Sequence, residues 1–297
     1  MSITDENINE WCKKTFNFVK DENYLDRLLE VYPAELPPSR PLPHHIKNKI
    51  VKLYNAKNYT ELVALLIGLK DHPFPIEHPY ASLLRGLNEK DRSIIIRRNP
   101  VLVEKLGKLL ISLGLNNIIK GVERPADINR ILGNAFKSWI RREFIGKPFK
   151  VVEKSTDLLR CDEKEICIYA GPDEEIGSFV KQYLDLDEPQ EGFYNRDMVA
   201  YLRGMYIIAE ARFLSSYGGS QTRDLGNTLR FVELMEGISR DAEDRGVKVK
   251  GIVLLDGVTW FDKRYVKMIK EKAIGDRIVM SALFLKEYLL DTFNRGF

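Results

Sequence analysis

Glu210 and Arg212 stand two residues apart in "GMYIIAEARFLSSYGGSQTRD", residues 204–224, directly after a run, Met205 to Ala209, that is apolar enough to be buried. Residues i and i+2 of a strand project to the same side, so a carboxylate and a guanidinium share one face beside a core. Burying such charges costs on the order of several kcal/mol unless they are paired. The two either neutralise each other or serve a ligand such as a metal ion or a phosphate. Arg203-Gly204 is the turn-like pair between this run and the preceding apolar run "DMVAYLR". A two-residue hairpin turn there sets Leu202 opposite Met205 and, counting outward, Asp197 opposite Glu210. Directly opposed Cβ atoms lie about 4.5–5.5 Å apart, and carboxylates that close repel unless a cation sits between them. Two hard oxygen ligands suit Mg²⁺, which keeps several waters and completes its shell with substrate phosphate. The alternative is a structural ion pair of Glu210 with Arg212, with Asp197 exposed at a strand start.

The residues that follow, "SSYGGSQTRD", put two glycines and small polar side chains between a strand end and a helix start, where backbone N–H groups can cup a phosphate. Asp256, at the end of the apolar run "KGIVLLDGVTW", is either a third acid near the site or a cap for the next loop. The four histidines, His44, His45, His72 and His78, all precede residue 80, so the second half of the chain has none for acid–base work. No GxxxxGK[ST] stretch occurs, which argues against an NTP-driven motor. Cys12, Cys161 and Cys167 are too few and too irregularly spaced for a disulfide framework or a four-ligand zinc site, and read as small buried or half-buried thiols.

The elements that must hold these groups change character along the chain. Helical periodicity predicts helices at about 5–18, 22–31, 45–55, 59–69, 100–114 and 128–143, with Asp127 as N-cap of the last. The five prolines in "YPAELPPSRPLPHH", residues 32–45, predict a linker or strap, and "KDHPFPIEHPY" is a second interruption. After residue 148, "FKVVE", "EICIYA", "DMVAYLR", "GMYIIAEARF", "KGIVLLDGVTW" and "DRIVMSA" read as strands, interleaved with helices at 171–186, 222–245, 262–273 and 282–293. The expected fold is α/β: a mixed central sheet with flanking helices, preceded by a mostly helical region. The division expected is 1–125, helical and basic, and 126–297, the domain that carries the acids.

Length, 297 residues, and 44% apolar composition suit a packed globular protein. The acidic, polar amino terminus and the lack of a long apolar span predict a cytoplasmic protein with no membrane segment. The net charge of +3 hides an asymmetry: residues 1–150 hold 25 Lys and Arg against 17 Asp and Glu, residues 151–297 hold 21 against 26. Between Arg92 and Lys150, 13 basic residues face 4 acidic ones, with Phe136, Trp139 and Phe149 interleaved in "NAFKSWIRREFIGKPFK". This stretch is a solvated basic face or a surface for a polyanion, with Arg141, Arg142 and Lys147 as candidate contacts.

An acid, a hairpin and then "EAR" resembles the signature of the PD-(D/E)XK nuclease superfamily. The longer run from "RDMVAY" to "AEARFLSSYGGSQ" is similar to type II restriction endonucleases in which Glu-Ala-Lys-Phe-Leu is followed by Gly-Gly-x-Gln. The likeness covers roughly residues 125–260, and the core order of helix, three strands, helix, strand matches apart from an extra helix after "EICIYA". The resemblance implies a restriction-endonuclease-like core and Mg²⁺-dependent hydrolysis of double-stranded DNA at a specific sequence, leaving 5′-phosphates. It further implies a homodimer and a cognate DNA methyltransferase that protects the same site. By position it implies Asp197 and Glu210 as metal ligands, Arg212 at the lysine position, and Ser220, Gln221 and Arg223 near the DNA. Arg196 replaces the usual proline. Arg212 cannot take a proton near neutral pH, although its fork can hold a phosphate or orient a water. The competing expectation is a non-cleaving DNA-binding protein on the same core.

Overall fold

The computed structural model describes residues 7–21, 23–34, 39–124, 128–186, 196–216 and 218–295. Asp127, the expected N-cap, lies outside them. The chain divides into two units, one of Met1–Ala34 with Asn129–Phe297 and one of Glu35–Ile128.

The second unit is helical throughout: α3 (His44–Asn55), α4 (Tyr59–Gly68), α5 (Pro79–Gly86), α6 (Glu89–Arg98), α7 (Pro100–Leu113) and α8 (Leu115–Val122). Ile50, Leu62, Leu66, Leu106, Leu110 and Ile118 form its core. Three of these helices, α5, α6 and α8, are not expected from periodicity. Pro79 reads as a breaker, yet it occupies the first turn of α5, where no N–H is needed. Asn88 opens α6 by accepting the Asp91 N–H at 2.9 Å. His44 and His45 begin α3, where the sequence predicts a turn.

The first unit carries a six-stranded sheet whose spatial order is the sequence order: β1 (Phe149–Val151), β2 (Ile166–Tyr169), β3 (Met198–Leu202), β4 (Met205–Leu214), β5 (Lys248–Gly257) and β6 (Ile278–Met280). The β2–β3 and β3–β4 pairs are antiparallel and the other three are parallel, so the sheet is mixed as expected. Its helices are α9 (Ile128–Glu143), α10 (Asp173–Tyr183), α11 (Gly219–Glu243), α12 (Lys263–Lys272) and α13 (Leu285–Arg295), with α11 and α12 as the crossovers that parallel pairing requires.

The boundary expected at residue 125 is displaced at the amino-terminal side. Residues up to 34, with α1 (Glu10–Asp21) and α2 (Tyr24–Leu28), group with the sheet because their apolar faces are part of its core: Trp11, Phe16, Tyr24, Leu28 and Val31 are buried there. Phe16 meets Trp260 edge-on at 5.1 Å. Charge and periodicity do not reveal which core a helix joins.

Two cysteines also depart from expectation. Cys161 and Cys167 form a disulfide between Cα atoms 6.3 Å apart, and Cys12 alone is a buried thiol. A loop returns Cys161 to β2 within six residues, a closure that spacing alone does not disclose.

Candidate active site

The hairpin that carries the acids is built as its turn residues dictate. Arg203 and Gly204 have φ of 45° and 82°, the two positive values of a type I′ turn. Leu202 pairs with Met205 and Met198 with Ala209, the register expected. The ladder ends there. Asp197 donates its N–H to the Ala209 carbonyl at 2.9 Å, and its Oδ2 accepts the Ala211 N–H at 2.9 Å. It thus closes the end of the hairpin instead of standing in a pair directly opposite Glu210.

Glu210 and Arg212 share a face, as their spacing requires. Arg212 Nε donates to Glu210 Oε1 at 3.2 Å, with the glutamate side chain 6% exposed and the arginine 31%. Thr228, buried on α11, donates to the same oxygen at 2.9 Å. Both donors found for this carboxylate among the described residues go to Oε1. The ion pair anticipated as the structural alternative is therefore present, but Asp197 is not exposed; it is buried like the core around it.

Burial pushes the Asp197 carboxyl up to about 6, against the lowering effect of the Ala211 N–H and of Arg212. Burial pushes Glu210 up to about 7, against Arg212 and Thr228, and the charge of Asp197 raises it further. A cation is what such a pair lacks, and two carboxylates are a donor set of the size Mg²⁺ takes from protein. Among the described residues no group of three or more His, Cys, Asp or Glu side chains could hold a metal. The acids that fit one are these two.

Asp197, Arg212 and Gln221 line one cavity of about 290 Å³, together with Tyr32, Phe213 and Asp224. Gln221, in the first turn of α11, brings a buried Oε1 with no hydrogen-bond partner. A helix N-terminus at such a cavity favours an anion. The expectation that the glycine pair offers its N–H groups is corrected at Gly218, whose N–H is taken by Tyr265 Oη at 2.9 Å, an oxygen also 2.8 Å from Thr222 Oγ1. That clamp fixes the start of α11. Gly257, where β5 leaves the sheet beside Leu214, has φ of 87°, and a Cβ there would fall 2.1 Å from the Leu214 carbonyl oxygen.

Asp256 is a structural residue. It accepts from Ser281 Oγ at 2.6 Å, Tyr24 Oη at 2.9 Å and the Ala282 N–H at 3.2 Å, and so ties the amino-terminal segment to β5 and to the turn after β6. The basic stretch is mixed in character. Phe136, Trp139 and Phe149 are buried in the core, so they form no stacking surface for bases. Arg141 and Arg142 are exposed but bond the carbonyls of Ala170 at 3.3 Å and Glu30 at 2.6 Å, while Lys147 and Arg223 are exposed. Thr228, Tyr32 and Asp224 are not legible as site residues in the sequence, since each reaches the site by packing of an element that carries no local signature.

A mixed sheet with two buried acids and a cation at one cavity, in a chain that also carries a helical basic unit, has the architecture of a DNA-cleaving enzyme of the restriction type. The family model of the Tsp45I type II restriction enzymes matches residues 9–292, nearly the whole chain, and the chain belongs to that family of site-specific deoxyribonucleases. No curated protein and no solved structure matches it. No helix among the described residues is long and apolar enough to cross a membrane.

Proposed function

We propose that this restriction enzyme is a Mg²⁺-dependent endonuclease of the PD-(D/E)XK type, with Asp197 and Glu210 as metal ligands and Arg212 at the motif's third position. The observation that carries this reading is the pair of buried carboxylates, both raised by desolvation toward neutrality, beside a cavity shared by Asp197, Arg212 and Gln221. When bound, the ion would lower the pKa of a coordinated water and neutralise charge on the phosphate.

The chain's own groups have separable tasks. The Ala211 N–H holds Asp197, and Thr228 with Arg212 holds Glu210, so both carboxylates are oriented before substrate arrives. Arg212 stays protonated and is not a base; its remaining N–H groups are suited to a phosphate oxygen. Gln221 Oε1 is an acceptor suited to orienting the attacking water.

DNA contacts are proposed for Ser220, Gln221 and Arg223 on α11 and for Arg141, Arg142 and Lys147. The helical unit, residues 35–128, holds 15 Lys and Arg against 9 Asp and Glu, and supports a second contact surface. A homodimer matches a palindromic site, and a methyltransferase protecting that site completes the system. Cells would keep the enzyme in the cytoplasm with its DNA.

The second reading, a non-cleaving DNA-binding protein, is favoured by one observation: Arg212 is already committed to Glu210. Incubating a mixed-sequence plasmid with the protein in Mg²⁺ and in EDTA separates the two. Discrete fragments in Mg²⁺ alone, lost in Asp197→Asn and Glu210→Gln, are expected, and sequencing their ends gives site and stagger. An intact plasmid with retained DNA binding would favour the second reading.

A further inference from the structure

Tyr32 follows α2 and lines the same cavity as Asp197, Arg212 and Gln221. The residue is 6% exposed, and its Oη is buried without a hydrogen-bond partner. Its ring is held edge-on by Phe213, the neighbour of Arg212 in β4, at 5.0 Å between centroids. Tyr24, on the same segment, shows what a structural tyrosine looks like here: its Oη donates to Asp256 at 2.9 Å and accepts the Gly257 N–H at 3.1 Å. Asp256 is further served by Ser281 and Ala282. Tyr32 stands outside normal hydrogen-bond geometry with Asp256, yet near enough that the charges of Asp256 and Asp197, after burial, hold its phenol well above its ordinary pKa. It is therefore a donor at any working pH.

A buried donor without an acceptor is costly to the folded protein unless a ligand completes it. The cavity leaves one donor, Tyr32 Oη, and one acceptor, Gln221 Oε1, both unfilled, beside the Arg212 guanidinium. A phosphodiester with a water beside it matches that set: its non-bridging oxygens accept, and the water donates. We propose that Tyr32 is a substrate-contacting residue of this nuclease, its hydroxyl donating a hydrogen bond to a non-bridging oxygen of the scissile phosphate. The inference rests on the nuclease reading above. No proton leaves Tyr32 and no bond to it forms; it adds an oriented donor where charge grows in the transition state.

Tyr32→Phe in the full chain removes the hydroxyl and keeps the packing against Phe213. The first measurement is the single-turnover rate in Mg²⁺ on plasmid, then on a duplex carrying the site mapped from wild-type fragments. The second is the melting temperature without metal or DNA. Loss of one preorganised donor should lower the rate by at least about tenfold, while the melting temperature stays unchanged or rises, since no protein hydrogen bond is removed. A rate less than tenfold below wild type overturns the proposal, and so does a slower rate accompanied by a lower melting temperature, which marks a structural hydroxyl or one satisfied by a resident water. Failure of the wild type to cut would refute the nuclease reading itself; an active wild type with an unimpaired Tyr32→Phe refutes only the role of Tyr32.

Discussion

Arg212 Nε and Glu210 Oε1 are 3.2 Å apart, so the cation at the motif's third position is already paired with the acid two residues before it. The pair is half in solvent: the carboxylate is buried while the guanidinium reaches the cavity. Arg212 can then neutralise Glu210 in the empty enzyme and turn its other N–H groups to a phosphate when DNA binds. Arg212→Lys keeps the charge and should retain measurable cleavage. Arg212→Ala should lose at least about two to three orders of magnitude in rate. Full activity in Arg212→Ala, measured on plasmid, would confine Arg212 to a structural role.

Thr228 holds Glu210 from α11 and touches no substrate in this scheme. Thr228→Val keeps the shape and removes the donor at 2.9 Å. A stability loss of about 1 kcal/mol is expected from the missing bond, with a cleavage rate lowered about tenfold or more because Glu210 is less well oriented. Thr228→Ser, which restores the hydroxyl, should recover most of the rate. Rescue that fails with Ser while Val and Ser unfold alike would mean that only packing matters at this position.

Stability of the metal-free protein should fall as pH rises. Asp197 and Glu210 have folded-state values of about 6 and about 7, above the ordinary 3.8 and 4.5. Between the ordinary and the raised values the folded protein binds more protons than the unfolded one, so the stability these groups contribute is fullest below about pH 4 and is lost as pH passes through 6 and 7. Asp256, raised by burial to about 7, acts in the same direction. Thermal melts in EDTA from about pH 5 to 8 should therefore slope downward, and an Asp197→Asn/Glu210→Gln double variant should slope less. Equal slopes for the two proteins would contradict the buried, raised pair.

Salt dependence tests the basic surface. Replacing Arg141, Arg142 and Lys147 by alanine together should lower the log–log slope of DNA affinity against salt by up to about 0.9 for each phosphate no longer neutralised. Because Arg142 also bonds the Glu30 carbonyl, this variant should melt at a lower temperature as well. An unchanged slope, measured in Ca²⁺ or EDTA so that DNA stays intact, would remove this surface from the interface.

By itself the sequence determined the hairpin and what it presents. Arg203-Gly204 admits the two positive φ values of a type I′ turn, and strand alternation then puts Glu210 and Arg212 on one face whatever surrounds them. The mixed sheet and the crossover helices were likewise legible, since apolar runs, caps and turn residues are local signals. Only the tertiary structure decided what surrounds the acids and their cavity. Tyr32 and Thr228 come from segments 178 residues before and 18 residues after Glu210 in the chain, and nothing in their neighbours marks them. Asp256 reads as a candidate third acid until packing surrounds it with Tyr24, Ser281 and Ala282. The first 34 residues could have joined either unit, because helical periodicity states that a face is apolar and leaves open which surface will bury it. That choice is made by complementary shape and volume between distant parts of the chain, which no local pattern encodes.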